Sequence, residues 1–348
     1  MSGEKMKIIH TALASYGMSG QVFHGPLLRV ASGFRVTHIL ERNRNNSAID
    51  FPEAVIVRNF ENILTDATVD LVIVNTPDHL HFKMCRAALE AGKHVVVEKP
   101  FTQHSADAHF LTELARKKGR VLTVFQNRRW DSDFLTVRKV MESGYLGRIV
   151  SYEAHFDRYR NAIQQSWKED PATGTGTLYN LGSHLIDQAL QLFGKPGAVS
   201  ADIRKLRDGA GVDDSFDLLL RYEGVKVRLS AGYLLMLPGP KFQLHGTEGS
   251  FLKWGADPQE DALKKGILPG NADWGVEAAE DAGQLRSTLT DLSRFPTERG
   301  NYPFFYSSLY EAICNGRSVP VQPQEATLVI SVIEAAFRSN RERREILI

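Results

Sequence analysis

The feature that most constrains this chain is a succession of short, β-branched, largely apolar runs in its N-terminal part: KIIHTAL, FRVTHILE, AVIV, LVIVN, HVVVE and VLTVF, from Lys7 to Phe125. Runs that stay apolar along their length, without polar alternation, belong to strands buried on both faces, the condition of a parallel sheet. Between them lie amphipathic stretches such as HLHFKMCRAALEAG and SADAHFLTELARKKG, closed by the helix-stopping glycines Gly92 and Gly119. Strand and helix in repeated alternation predict an α/β unit over residues 1–127, built on a doubly wound parallel sheet.

After Asn127 the pattern changes. SDFLTVRKVMESG reads as a helix, and RIVSYEAHFDRYR, SFDLLLRY, KVRLSAGYLL and KFQLHG read as strands separated by Gly- and Pro-containing turns. Residues 128–348 are therefore expected to form an α+β domain with a large, mainly antiparallel open sheet. LYNLGSHLIDQALQLFG, NYPFFYSSLYEAICNG and QEATLVISVIEAAFRSNRERR are its expected helices. Residues 257–299 show little periodicity and read as a long excursion without an assigned role.

Composition removes several classes of partner. With 42 Lys and Arg against 41 Asp and Glu, the net charge of +1 sets up no global field toward nucleic acid or anionic membrane. No apolar run approaches the ~18 residues of a membrane span, and the first residues carry no apolar signal region, so a cytoplasmic location is expected. Cys85 and Cys314 stand far apart and read as reduced thiols. His79 and His81 have the spacing of a metal pair but no third ligand, so no metal is expected.

The first turn, Ala14-Ser15-Tyr16-Gly17-Met18-Ser19-Gly20, places Ser15, Gly17 and Gly20 at the three positions of a dinucleotide-binding G-x-G-x-x-G, with one glycine replaced. Gly17 would let backbone approach a pyrophosphate, and Gly20 would allow close helix–strand packing. About twenty residues beyond, Glu41 stands where an acid would accept hydrogen bonds from a ribose, while Arg42 and Arg44 beside it could clamp a 2′-phosphate or lie in solvent. NAD and NADP both remain open, with the lean toward NAD. At the expected ends of strands four and five stand Asn75-Thr76-Pro77-Asp78-His79-Leu80-His81 and Glu98-Lys99-Pro100-Phe101. Lys99 is either a surface strand end or a lysine aimed at a substrate oxygen. Farther on, helical spacing puts Asn180, His184 and Asp187 on one face, beside the TGTG of residues 173–176. His184 there is a buried structural histidine or an acid–base group.

Taken together, the altered glycine turn, T-P-x-x-x-H at Thr76–His81, E-K-P at Glu98–Pro100 and N-x-G-x-H at Asn180–His184 resemble the Gfo/Idh/MocA family of NAD(P)-dependent oxidoreductases. FHGP at Phe23–Pro26 and NRRWDSDF at Asn127–Phe134 resemble its branch of sugar or inositol dehydrogenase homologues. The resemblance implies a Rossmann domain and a substrate domain whose open sheet commonly serves an oligomer interface, here a homodimer or homotetramer. It implies a cis Lys99–Pro100 bond. It also implies cofactor contacts from Ser15, Gly17, Met18, Ser19, Gly20, Glu41, Arg42, Thr76, Pro77, His81, Glu98, Lys99 and Asn127. Lys99 would bond the reacting oxygen and His184 would act as general base, with Asn180 where the family often has an acid. Trp130, Asp157, Arg158 and Asp187 are the candidate substrate contacts. The activity expected is hydride transfer between a nicotinamide and a hydroxyl or carbonyl carbon of a sugar, inositol or similar polyol. The alternatives are a catalytically silent NAD(P)-binding sensor and an enzyme that keeps its cofactor bound through redox-assisted glycoside cleavage.

Overall fold

A computed structural model of the chain describes residues 6–164, 166–172 and 175–348; residues 173 and 174 of the glycine-rich TGTG lie outside them. Six strands, β1 (Ile9–Leu13), β2 (Phe34–Leu40), β3 (Val55–Val57), β4 (Leu71–Val74), β5 (His94–Val97) and β6 (Leu122–Val124), form a parallel sheet in the order β3-β2-β1-β4-β5-β6. The apolar runs are the cause. Every residue of β4 and all three valines of β5 are fully buried, which only a sheet covered on both faces allows. The order reverses between β1 and β4, so the crevice beyond their carboxyl ends is where an open α/β sheet takes its ligand.

The second sheet has nine strands: β7 (Ile149–Asp157), β8 (Ala198–Arg204), β9 (Ser215–Arg221), β10 (Lys226–Gly232), β11 (Phe242–Gly246), β12 (Gly249–Lys253), β13 (Gly283–Ser287), β14 (Arg294–Phe295) and β15 (Ile346–Leu347). Every pairing is antiparallel except β7 with β10. Along β9, Phe216, Leu218 and Leu220 are buried while Leu219 and Arg221 are exposed, the alternation of a sheet with one covered face. The helices Ser183–Phe193 and Pro323–Glu342 pack against each other, and the latter lies against β8.

Residues 257–299 are more structured than their sequence suggests. They hold the helix Gln259–Lys264 and the edge strands β13 and β14, elements too short to show a period. The Asp257 carboxylate accepts a hydrogen bond from the Ser132 amide at 2.6 Å and so anchors the excursion to the start of the helix Ser132–Glu142. The helix Pro323–Glu342 ties the sheets together. The Thr123 hydroxyl of β6 donates to the Val321 carbonyl at 2.7 Å, and Glu334 accepts from the Ser105 amide and hydroxyl.

Candidate active site

The turn after β1 shows why serine replaces the first glycine. The Ser15 hydroxyl donates to the Asn75 carbonyl at 2.7 Å, the Ser15 amide donates to Asn75 Oδ1, and Asn75 Nδ2 donates to the Ser15 carbonyl, both at 2.9 Å. Ser15 thus stitches the ends of β1 and β4 together. A Cβ on Gly20 would fall 2.8 Å from the Ser15 carbonyl, whereas one on Gly17 would meet only Ser15 Oγ at 4.0 Å. Gly20 serves packing, and Gly17 leaves bare backbone toward the cleft. Thr76 Oγ1, also on the cleft, is buried with no partner among the described residues. A bare amide-bearing turn and an unsatisfied hydroxyl fit the phosphates of a dinucleotide.

Glu41 lies at the edge of the hollow beside the first turn and is bonded within its own loop. Its carboxylate accepts hydrogen bonds from the amides of Asn46 (3.1 Å) and Ser47 (2.8 Å) and from Ser47 Oγ (2.5 Å). It is committed to the start of the short helix Ser47–Asp50. Arg42 and Arg44 are exposed and border the same hollow as Ser15, Gly17, Thr76 and Pro77.

At the ends of β4 and β5, the two ring nitrogens of His81 lie 2.8 Å from the Pro100 carbonyl and 3.0 Å from that of Thr76. His81 therefore braces the two loops. The Glu98 carboxylate pairs with His24 Nε2 at 3.2 Å. The Lys99–Pro100 bond is cis. Lys99 extends across the cleft, and its ammonium donates to the Asn180 carbonyl at 2.9 Å and to Asn180 Oδ1 at 3.3 Å. Burial first, and then the Lys168 charge, lower its pKa to about 7.

His184 is 5% exposed and lines the cleft with Asn180. Burial, followed by the charges of Lys99 and Arg128, holds its pKa well below the usual imidazole value, so the ring is neutral. Its Nδ1 has no partner among the described residues.

The cleft of about 440 Å³ brings together Ser15, Gly17, Met18, Ser19, Thr76, Pro77, His81, Glu98, Lys99, Asn127, Arg158, Asn180 and His184. Three expected substrate contacts are elsewhere. Trp130 packs against Phe304 and Phe305. Asp157 accepts from the Gly239 amide at 3.0 Å, pinning the loop after β10. Asp187 turns from the His184 face into a buried pair with Arg129, at 2.8 and 2.6 Å, where the guanidinium compensates its burial. The cleft also contains residues not anticipated as site residues: Asp78, Arg128, Lys168 and Glu260. Arg128 pairs with Asp131 at 3.1 Å and with Glu260 at 2.7 Å, so the unassigned excursion supplies part of the wall. Its neighbour Asn127 was the nearest sequence signal; Lys168 and Glu260 lie in stretches without one. Among the described residues, no group of three or more His, Cys, Asp or Glu side chains is placed to hold a metal ion, and no helix is long and apolar enough to cross a membrane.

Comparison with known proteins bears on this geometry. Residues 9–126 match the family model described as "Oxidoreductase family, NAD-binding Rossmann fold", and residues 138–348 match its "C-terminal alpha/beta domain". The chain is 41% identical to scyllo-inositol 2-dehydrogenase (NADP(+)) IolW of Bacillus subtilis (strain 168), over 99% of this chain and 97% of that protein. The solved structure of the oxidoreductase YvaA from Bacillus subtilis superposes with a TM-score of 0.96 at 40% identity, covering 99% of each chain. An oxidoreductase structure from Bacteroides fragilis gives 0.90 at 45% identity, covering 98% of this chain and all of the other.

Proposed function

This chain belongs to the Gfo/Idh/MocA oxidoreductase family and is an NAD(P)-dependent oxidoreductase; from that premise we propose that it interconverts a hydroxyl and a carbonyl on a sugar, inositol or similar polyol. One observation carries the reading: Lys99, just after β5 of the first sheet, and His184, on the helix Ser183–Phe193 of the second domain, line a single cleft that also includes the bare Gly17 turn. The name of IolW supports the substrate class.

When bound, the nicotinamide supplies the two-electron chemistry. Ser15, Gly17, Met18, Ser19, Thr76 and Pro77 would hold the dinucleotide. Lys99 has the role of proton carrier, because its pKa of about 7 lets its ammonium give a proton to a carbonyl oxygen or, once neutral, take one from a hydroxyl. The role given to His184 from sequence, general base, passes to Lys99 in this reading. The neutral imidazole instead accepts a hydrogen bond from the reacting hydroxyl and orients it, and Asn180 positions the lysine.

For the cofactor, the lean toward NAD rested on Glu41. With that carboxylate engaged by Asn46 and Ser47, and Arg42 and Arg44 open to solvent, we place NADP first. The IolW name, which includes NADP(+), supports the same order. The exposed run Leu234-Leu235-Met236-Leu237 supports self-association as a homodimer or homotetramer, testable by light scattering. A cytoplasmic site of action remains part of the proposal. The function is tested by absorbance at the reduced-nicotinamide band over inositols, aldoses, sugar acids and sugar phosphates with both cofactors. Turnover of at least one class is expected. Dinucleotide binding without turnover across the panel would overturn the proposal.

A further inference from the structure

The wall that the second domain contributes to the cleft carries more positive charge than its neighbours neutralise. Arg158, which follows β7, is half-buried on the cleft. Its backbone is fixed on both sides, the amide donating to the Gly232 carbonyl at 3.0 Å and the carbonyl accepting from the Leu235 amide at 2.9 Å. Its guanidinium, however, has no ion-pair partner among the described residues. Lys168 is likewise half-buried on the cleft. Its ammonium lies 5.8 Å from the Trp167 ring and has no carboxylate within ion-pair distance among the described residues.

The three carboxylates of the cleft are already engaged. Glu98 pairs with His24 at 3.2 Å. Asp78 accepts from Thr175 Oγ1 at 2.5 Å and from Gln103 Nε2 at 3.2 Å. Glu260 pairs with Arg128 and with Lys264, each at 2.7 Å. Opposite them Lys99 rests on Asn180, a neutral partner. Cations withdrawn from water without a paired carboxylate are destabilising, and burial, first in order, lowers the pKa values of both Arg158 and Lys168 against the more distant pull of Glu260 on both and of Glu98 and Asp78 on Lys168. Such a pair is in place for a ligand that brings the missing negative charge.

We propose that the polyol taken by this cleft carries an anionic group, a carboxylate or a phosphate ester, seated between Arg158 and Lys168. The inference deepens the polyol oxidoreductase reading and rests on it. The guanidinium fork suits two anionic oxygens and the ammonium acts as a point charge beside it. The phosphates of the dinucleotide are the other source of such charge, but the turn that fits them follows β1 of the first sheet, whereas Arg158 follows β7 of the second.

The test uses the full chain saturated with NADP or its reduced form and matched compounds: glucose, gluconate and glucose 6-phosphate, and myo-inositol with its monophosphate. Binding is read by calorimetry and turnover by absorbance. The expected result is that an anionic member of a set binds, and is turned over in kcat/KM, on the order of 10- to 100-fold better than its neutral counterpart. Salt should shrink the preference. Arg158→Gln and Lys168→Gln should remove most of it while the Kd for NADP stays within about twofold. The carboxylate and phosphate arms show which anion is meant. Turnover of neutral compounds with no anion preference overturns this inference and leaves the oxidoreductase reading intact. No turnover of any compound counts against that reading, and calorimetry then still decides the inference, since anions binding no better than neutral compounds overturn it. If Arg158→Gln weakens NADP as much as the anion, the cations serve the dinucleotide and the inference fails.

Discussion

Lys99 and Asn180 meet across the cleft in a contact without counter-charge: the ammonium donates to the Asn180 carbonyl at 2.9 Å and to its side-chain oxygen at 3.3 Å. Burial and then the Lys168 charge outweigh the pull of the neighbouring Glu98 carboxylate and bring its pKa to about 7.

For carbonyl reduction the lysine must hold its proton. A pKa depressed to about 7 means that the charged form is complete below that pH and is lost as pH rises through it, so kcat/KM for reduction should decline above neutrality. Asn180→Asp places a carboxylate beside the ammonium and should move the decline upward by about one pH unit or more. A pH profile of both proteins reads this directly, and an unmoved limb would remove Lys99 as the titrating group.

Lys99→Met should lower kcat on the order of 10²–10⁴-fold, the usual contribution of an acid–base group, with NADP affinity nearly unchanged. His184→Ala should cost roughly tenfold or more through lost orientation and leave the position of the pH limb in place. If the limb instead disappears in His184→Ala, the imidazole is the proton carrier.

Arg42→Ala should weaken NADP on the order of 10- to 100-fold and leave NAD almost untouched, since a 2′-phosphate is the only group that separates them. Glu41→Ala should destabilise the fold by about 1–2 kcal/mol, through loss of the contacts to Asn46 and Ser47, without improving the preference for either cofactor. Fluorescence titration and thermal unfolding measure the two effects.

Asp187→Asn leaves the Arg129 guanidinium, itself 7% exposed, short of a buried counter-charge. A loss of about 3–5 kcal/mol in stability is expected, with an unchanged KM in the fraction that folds. A raised KM at unchanged stability would return Asp187 to the substrate.

The first sheet was legible because a strand buried on both faces has to be apolar there, as β4 and the three valines of β5 are. Lys99 and His184 stood out for a related reason: a charged residue directly after a buried strand and a polar cluster on an otherwise apolar helix are local anomalies. Partners are not local. Asp187 finds Arg129 at a separation of 58 residues, and the Arg128–Glu260 contact spans 132, so one position along a helix or in an aperiodic stretch could not announce them. Glu41 shows a third limit. Spacing from Gly20 gives the place of the residue but not the direction of its carboxylate, which turns back into the loop it precedes.

The helix Pro323–Glu342 adjoins β8 of one sheet and β6 of the other, while Thr123 and Ser105 bond to Val321 and Glu334. It therefore acts as a common brace whose loss would uncover apolar surface on both halves at once. Heat and denaturant should find one cooperative transition rather than two, because neither sheet can melt without stripping the cover from the other. A fragment stopping near residue 127 would expose to water the face that this late segment closes, and the nucleotide half is in that sense unfinished until residues 323–342 have been made.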